Sequence, residues 1–267
     1  MIFILAMGCA GKSAIQPVSD ENRIPMDINV NVRLAEVDNL GNIYVIDAKN
    51  RLIKYDTGFK ELYRYANNKN GMISAIDVTN PLRMVVFYND FNQVKILDNT
   101  LSIIREFDFS QQYLDITACG ITNDGNLWLY DAVRFRLMKV DDNGNIILQS
   151  NNVSDFGMAG MQITKILENG NYVVLCDYDK GFWFFDNFGQ YIYHFPVQGL
   201  RSFQFDGKQI IYYTDSGLKT FSIQQKERQI IGVSSMEIAE DLNYILYNDG
   251  YYYGIYTQGV IRKRVDD

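Results

Sequence analysis

Histidine, cysteine, tryptophan and proline are all scarce in this chain of 267 residues, which has 1 His, 3 Cys, 2 Trp and 4 Pro. A single histidine, and no cysteines at paired zinc-ligand spacing, argue against a metal site. We therefore predict neither a metal nor a cofactor. Long basic runs are also lacking, and the net charge is −7. Because binding to a phosphate backbone requires clustered Lys and Arg, we expect no nucleic-acid partner.

Helical periodicity is missing as well. After residue 10, no segment keeps apolar residues at helical spacing over three turns. Hydrophobic residues nevertheless make up 47% of the chain and aromatic residues 14%, with 19 Tyr. This composition excludes a mostly disordered protein and favours β-structure.

The chain consists of repeated units. The segments "NLGNIYVIDAKNRLIKYDTGF" from Asn39 and "NDGNLWLYDAVRFRLMKVDDNGN" from Asn123 share Gly-Asn, an apolar run, Asp-Ala, a basic loop and a final Lys-x-Asp. Two degenerate units start at Asp206 and Asp241. The late acid of the first four units recurs at intervals of 42, 43 and 45 residues, as Asp56, Asp98, Asp141 and Asp186.

Each unit contains four short β-type runs, which in the first unit lie near 32–37, 42–47, 51–56 and 60–65. A period of about 40 residues with four strands per unit is typical of a propeller blade. We therefore predict an all-β fold, a six-bladed β-propeller with four-stranded antiparallel blades, over residues 32–267. The segment 27–32 is a candidate for closing the ring, but the last unit also has runs enough for four strands of its own.

The units resemble those of six-bladed NHL-type propellers, which carry a "GNIYV.D..N.RI.K.D..G" pattern. Such propellers include metal-dependent lactonase-type hydrolases and lyases, so the resemblance leaves an enzyme as an alternative function. A carbohydrate-binding or sensor propeller is a further alternative. Against catalysis, an acid recurs at one point of several units, as Asp47, Asp131, Asp177 and Asp215. A carboxylate repeated in this way is predicted to cap the following loop, so we predict no catalytic residues.

The first residues, "MIFILAMGC", resemble the lipobox of bacterial lipoproteins, in which the cysteine becomes the lipidated N-terminus. This resemblance implies a signal-peptide remnant at 1–8, lipidation of Cys9, and a tether over 9–31. The expected location is the outer membrane, with the propeller facing the periplasm. Cys119 and Cys176 lie in apolar strand-like runs, where buried free thiols are expected rather than a disulfide.

The loops between second and third strands differ between the units and are expected to share one rim with the blade-to-blade connections. Large aromatic and guanidinium groups are enriched at protein interfaces. We therefore predict a partner-binding site on this rim, formed by Arg134, Phe135, Arg136, Tyr178, Tyr251 and Tyr253. The predicted function is a non-enzymatic scaffold subunit of an outer-membrane complex, whose partner is a β-barrel subunit.

Overall fold

Six antiparallel four-stranded sheets form the fold in the computed structural model, which describes residues 25–67, 69–112, 115–157, 159–231 and 241–265. The predicted all-β, six-bladed propeller is confirmed. In the first blade the observed strands agree with the predicted runs to within one residue at each end. Within the described residues, no helix has the length and apolar character needed to cross a membrane.

The blades follow one another along the chain. Blade 1 contains β2 (Val32–Val37), β3 (Ile43–Asp47), β4 (Arg51–Tyr55) and β5 (Glu61–Ala66). Blade 2 contains β6 (Ala75–Asp77), β7 (Met84–Tyr88), β8 (Gln93–Leu97) and β9 (Ile103–Asp108). Blade 3 contains β10 (Ile116–Ile121), β11 (Leu127–Asp131), β12 (Arg136–Val140) and β13 (Ile146–Gln149).

The second half of the ring has the same construction. Blade 4 contains β14 (Lys165–Asn169), β15 (Tyr172–Asp177), β16 (Gly181–Asp186) and β17 (Tyr191–Pro196). Blade 5 contains β18 (Leu200–Phe205), β19 (Gln209–Thr214), β20 (Gly217–Ser222) and β21 (Glu227–Ile230). Blade 6 contains β22 (Leu242–Asn248), β23 (Tyr251–Tyr256), β24 (Gly259–Arg264) and, from the start of the chain, β1 (Ile28–Asn29). Two short 3-10 turns span Asn89–Phe91 and Val153–Phe156.

Strand β1 closes the ring, because it pairs with β24 through Ile28 opposite Val260 and Asn29 opposite Gly259. The last unit therefore supplies three strands, and the ring includes residues that we had assigned to the tether. The sequence analysis assigned the strands of the last unit incorrectly because Asp241 resembles the turn acid of the other units. In the structure Asp241 lies just before the innermost strand of blade 6. The turn between the first two strands of blade 6 lies instead at Asp249 and Gly250, where φ is 47° and 78°.

Apolar side chains are buried between the blades. Six clusters of buried residues are found among the described residues, and each lies between two neighbouring blades. The cluster between blades 3 and 4, for example, includes Trp128, Tyr130 and Phe185. A single sheet cannot cover both of its faces, so each blade depends on its two neighbours for burial.

Because consecutive strands alternate in direction, the connections separate onto two faces of the ring. The upper face carries the loops between second and third strands and the connections between blades. The lower face carries the turns between first and second strands and those between third and fourth strands. Innermost strands from all six blades surround the central channel.

Candidate functional site

The repeated acids cap loops on the upper face. Asp47 Oδ1 accepts hydrogen bonds from the backbone N–H groups of Lys49 and Arg51, at 3.0 and 2.9 Å. Asp131 accepts from the N–H groups of Val133 and Arg134, at 3.0 and 2.9 Å. Both carboxylates are buried. Burial is the largest single influence on the pKa of Asp47 and raises it. Hydrogen bonds to the charged form and the Arg51 guanidinium together outweigh burial, so the pKa lies below its ordinary value.

Blade 4 repeats this arrangement and blade 5 departs from it. Asp177 is buried and accepts hydrogen bonds from Asp179 N–H and Gln162 N–H. The capping prediction is thus confirmed for three of the four acids. In blade 5 the buried Thr214 occupies the equivalent strand end. Asp215 lies one residue further on, is 68% exposed and forms an ion pair with Arg201, so its predicted capping role is wrong.

The three predicted rim residues of blade 3 differ in how far their side chains are exposed. Arg134 is exposed and forms an ion pair with Asp131 at 2.7 Å. Phe135 has a φ of 52° and packs against the cluster between blades 3 and 4. Arg136 opens β12 and is half-buried. Of these three residues, Arg134 is the most exposed at the upper face.

The predicted tyrosines lie elsewhere. Tyr178 is half-buried against the cluster between blades 4 and 5, and Glu36 of blade 1 and Tyr244 of blade 6 both influence its pKa. Burial is the largest cause of its raised pKa. Tyr251 follows the 249–250 turn on the lower face, so placing it on the upper rim was wrong.

Tyr253 is also not a rim residue. It is 2% exposed and lies in the cluster between blades 6 and 1. Its misplacement has the same cause as that of Tyr251, since both residues belong to the strand β23 rather than to a loop. Whether Arg134, Phe135, Arg136 and Tyr178 bind a partner stays a prediction.

Exposed apolar side chains lie on the upper face of blades 2 and 3. We define the upper-face crescent as Met72, Phe91, Val133 and Arg134. Phe91 is 51% exposed and Val133 is 50% exposed. Hydrogen bonds connect these loops, because Asn92 Oδ1 accepts from Ile116 N–H at the start of blade 3, and Val153 N–H donates to Phe135 O.

The crescent contains residues that the sequence analysis did not select. The loops between second and third strands were expected on this rim, but Phe91 and Val133 were not among the residues selected from them. Met72 lies in the connection between blades 1 and 2, beside Phe91: a Cβ on Gly71 would lie 3.0 Å from Phe91 Cε2. The sequence signal for these residues was an apolar side chain inside a predicted turn, where the alternating pattern of a strand does not explain it.

A cavity of about 350 Å³ opens at the lower end of the channel. Its walls come from blades 1, 2, 4, 5 and 6, including Glu36, Asp77, Lys165 and Phe203. Blade 3 has Gly120 beside Asp77, and a Cβ there would lie 2.3 Å from the carbonyl oxygen of Ile166. A glycine is needed at this position because the innermost strands of blades 3 and 4 approach too closely for any side chain.

An ion pair crosses the cavity from blade 4 to blade 1. Lys165 Nζ donates to Glu36 Oε1, and both side chains are largely buried, at 11% and 14% exposure. Burial raises the pKa of Glu36, and the Lys165 charge acts in the opposite direction. Burial also raises the pKa of Asp77, whose carboxylate accepts hydrogen bonds from Thr79 and from Ile121 N–H.

The remaining candidate groups are buried or peripheral. Cys119 and Cys176 are buried free thiols, as predicted. His194 lies on the fourth strand of blade 4, stacked on Trp183 with ring centroids 3.9 Å apart. Among the described residues, no group of three or more His, Cys, Asp or Glu side chains could hold a metal ion. Trp128 and Trp183 are 0% and 2% exposed, so neither offers a ring for stacking on a sugar.

The fold and these surfaces define the protein as a six-bladed β-propeller with closure of the last blade by its N-terminal strand. No protein-family model matches the chain, and no curated protein matches it either. Solved structures do resemble it. The WD40 domain of Pan2 from Neurospora crassa has a TM-score of 0.55 at 9% identity, over 86% of this chain and 76% of that chain.

A crystal structure of a protein of unknown function from Bacteroides caccae is similar to the same degree. Its TM-score is 0.56 at 11% identity, over 82% of this chain and 88% of that one. At such low identity both likenesses concern the propeller fold alone.

Proposed function

We propose that the protein is a non-enzymatic, lipid-anchored scaffold subunit of an outer-membrane complex, and that it binds a β-barrel subunit through the upper-face crescent. The observation that carries this proposal is the crescent itself. Large apolar side chains are exposed on neighbouring loops of a rigid ring, and exposed apolar patches of this kind mark sites of protein association.

The chemistry of the crescent favours a protein partner. Phe91 and Met72 offer apolar contact area, and Arg134 offers a guanidinium at the edge of that area. Aromatic, Met and Arg side chains are enriched in protein interfaces. The Arg134 side chain is already oriented by Asp131, so it loses less conformational freedom when a partner binds.

The membrane part of the proposal depends on Cys9, which lies outside the described residues. It is supported by the sequence "LAMGC" and by the polar segment that follows it. Acyl chains bind a bilayer with about 0.8 kcal/mol for each buried methylene group. A Cys9→Ala variant is therefore expected to leave the membrane fraction, and unchanged membrane association would remove the lipid anchor from the proposal.

The alternative function is a metal-dependent enzyme of the lactonase or lyase type. The carboxylates that could have formed such a site at the upper face are Asp47, Asp131 and Asp177. Each of them already accepts hydrogen bonds from backbone N–H groups of its own loop. We therefore assign these acids to loop structure.

Affinity purification from solubilised outer membranes tests the scaffold function. We expect the wild-type protein to recover a β-barrel subunit, and Phe91→Asp and Arg134→Glu to lose most of it, since truncating a true hot-spot residue costs about 2 kcal/mol or more. Leu82→Asp is the matched control, because Leu82 is 65% exposed on the lower face of the same blade as Phe91. Recovery of the protein alone, with metal-dependent hydrolysis of lactones or phosphoesters, would support the enzyme instead.

A further inference from the structure

The cavity at the lower end of the channel differs in chemistry from the crescent on the opposite face. We infer that this cavity binds a small alkylammonium compound, whose ammonium group lies against Glu36 and Asp77 and whose apolar stem lies against Leu167 and Phe203. This site is separate from the proposed scaffold function, since it involves neither the crescent nor the lipid anchor.

The charge of the cavity wall selects a cation. Five carboxylate side chains and one ammonium line the cavity, which gives a formal charge of −4. The acids are Glu36, Asp38, Asp77, Asp206 and Asp249. An anionic ligand would meet the carboxylates of Glu36 and Asp77, which are largely buried, so charge repulsion is stronger there than at a free surface. Anions are therefore excluded as ligands.

The protein itself already holds an alkylammonium group in this cavity. The side chain of Lys165 extends from blade 4 across the channel to Glu36. Its Nζ atom lies 5.2 Å from the centroid of the Phe203 ring, which is within the range of a cation–π contact. The wall thus combines a carboxylate with an aromatic ring, and this pair of groups suits a primary ammonium on a flexible apolar stem.

The size and lining of the cavity favour a small molecule. A volume of about 350 Å³ is at the lower end of the range for small-molecule sites. Apolar side chains of Ile76, Val78, Leu167, Phe203 and Ile211 alternate with the polar groups. A fully polar polyol would leave this apolar part of the wall uncovered, whereas an alkyl stem covers it.

Saturation-transfer NMR titration with n-pentylammonium tests the inference, in a buffer free of other amines and at constant salt. We expect wild-type protein to bind this probe with a Kd of about millimolar, as suits so small a ligand. Neutral n-pentanol and anionic pentanoate, which have the same stem, are expected to bind at least 10-fold more weakly. Pentanoate or pentanol binding as tightly as the ammonium would overturn the inference.

Two variants locate the binding. Lys165→Ala frees Glu36 from its internal partner, so the affinity for n-pentylammonium is expected to rise at least 10-fold. Glu36→Gln removes a carboxylate and leaves the Lys165 charge in place, so the affinity is expected to fall at least 10-fold. Equal affinities in wild type, Lys165→Ala and Glu36→Gln would contradict binding in the cavity.

Two further variants serve as controls. Asp179→Asn makes the same change of net charge on the exposed upper face, and it is expected to leave the affinity unchanged. If Glu36→Gln does not fold, the double variant Glu36→Gln with Lys165→Met removes both buried charges together and should bind n-pentylammonium at least 10-fold more weakly than Lys165→Ala. If the wild-type protein recovers no partner in the purification experiment but still binds n-pentylammonium, the scaffold function alone is refuted.

Discussion

Replacing Ile28 by Ala tests whether the N-terminal strand closes the ring. Ile28 is 3% exposed and packs in the cluster between blades 6 and 1. The substitution removes three carbon atoms, for which transfer from water accounts for about 2.4 kcal/mol at roughly 0.8 kcal/mol each. The cavity left behind raises the expected loss in free energy of unfolding to about 3–4 kcal/mol.

Thermal unfolding followed by circular dichroism measures this loss. For a domain of this size, each 1 kcal/mol lowers Tm by roughly 2–4 °C, so a decrease of about 6–16 °C is expected. Asn29→Ala is the matched control, because Asn29 is the next residue of the same strand and its side chain is exposed. The control should change the stability by less than about 0.5 kcal/mol.

The reasoning is refuted if Ile28→Ala and Asn29→Ala unfold at the same temperature. In that case β1 would contribute no buried side chain to the folded ring, and blade 6 would stand with three strands. A large loss in both variants would instead mean that the Asn29 side chain, and not burial of Ile28 alone, stabilises the closed ring.

Two further predictions concern buried carboxylates. Asp131→Ala removes an acceptor for two backbone N–H groups and should lower the free energy of unfolding by about 2 kcal/mol. Asp215→Ala, at an exposed ion pair, should lower it by less than about 1 kcal/mol. Urea unfolding measures both losses, and a larger loss for Asp215→Ala than for Asp131→Ala would contradict loop capping. Burial raises the pKa of Glu168 in the folded protein above its value in the unfolded chain. The contribution of Glu168 to the free energy of unfolding is therefore present below the unfolded-state pKa and is lost as the pH rises through the folded-state pKa. Glu168→Gln removes the carboxylate charge and keeps an oxygen for Trp128 Nε1, which donates to Glu168, so the variant should gain stability relative to wild type as the pH rises above about 4, the ordinary pKa of Glu. Parallel stability curves for the two proteins would disprove this.

The blade architecture was predictable because its signals are local. In blade 1, a strand of alternating or continuous apolar residues is followed by a turn with Asp, Asn or Gly, and the turn acid accepts hydrogen bonds from the residues just after it. Asp56 Oδ1, for example, accepts from Gly58 N–H and Lys60 N–H. Such contacts involve neighbours in sequence, so they can be inferred from spacing alone.

The last blade shows where local signals fail. All strands of a propeller blade have similar apolar composition, so "DLNYILYNDGYYYGIYT" fits the repeat in two registers, one strand apart. The choice depends on which strand faces the channel and on whether β1 fills the outer position, and both are contacts between distant parts of the chain. Tyr251 and Tyr253 were misplaced for this reason.

The candidate site also depended on distant contacts. Arg134 could be selected from the sequence because an exposed basic loop between two predicted strands is a local feature. The lower cavity could not, since Glu36 and Lys165 are 129 residues apart and meet only because blades 1 and 4 face each other across the channel. Nothing near either residue in the chain indicates its partner.

The sequence by itself therefore determined the number of blades, the strands within the first units and the capping role of three repeated acids, because each follows from residues less than one blade apart. The tertiary structure alone decided how the ring closes, which tyrosines are buried and which charges meet in the channel. Ring closure brings β1 and β24 together and places opposite blades across the channel, and the residues that meet there have no regular spacing in the sequence.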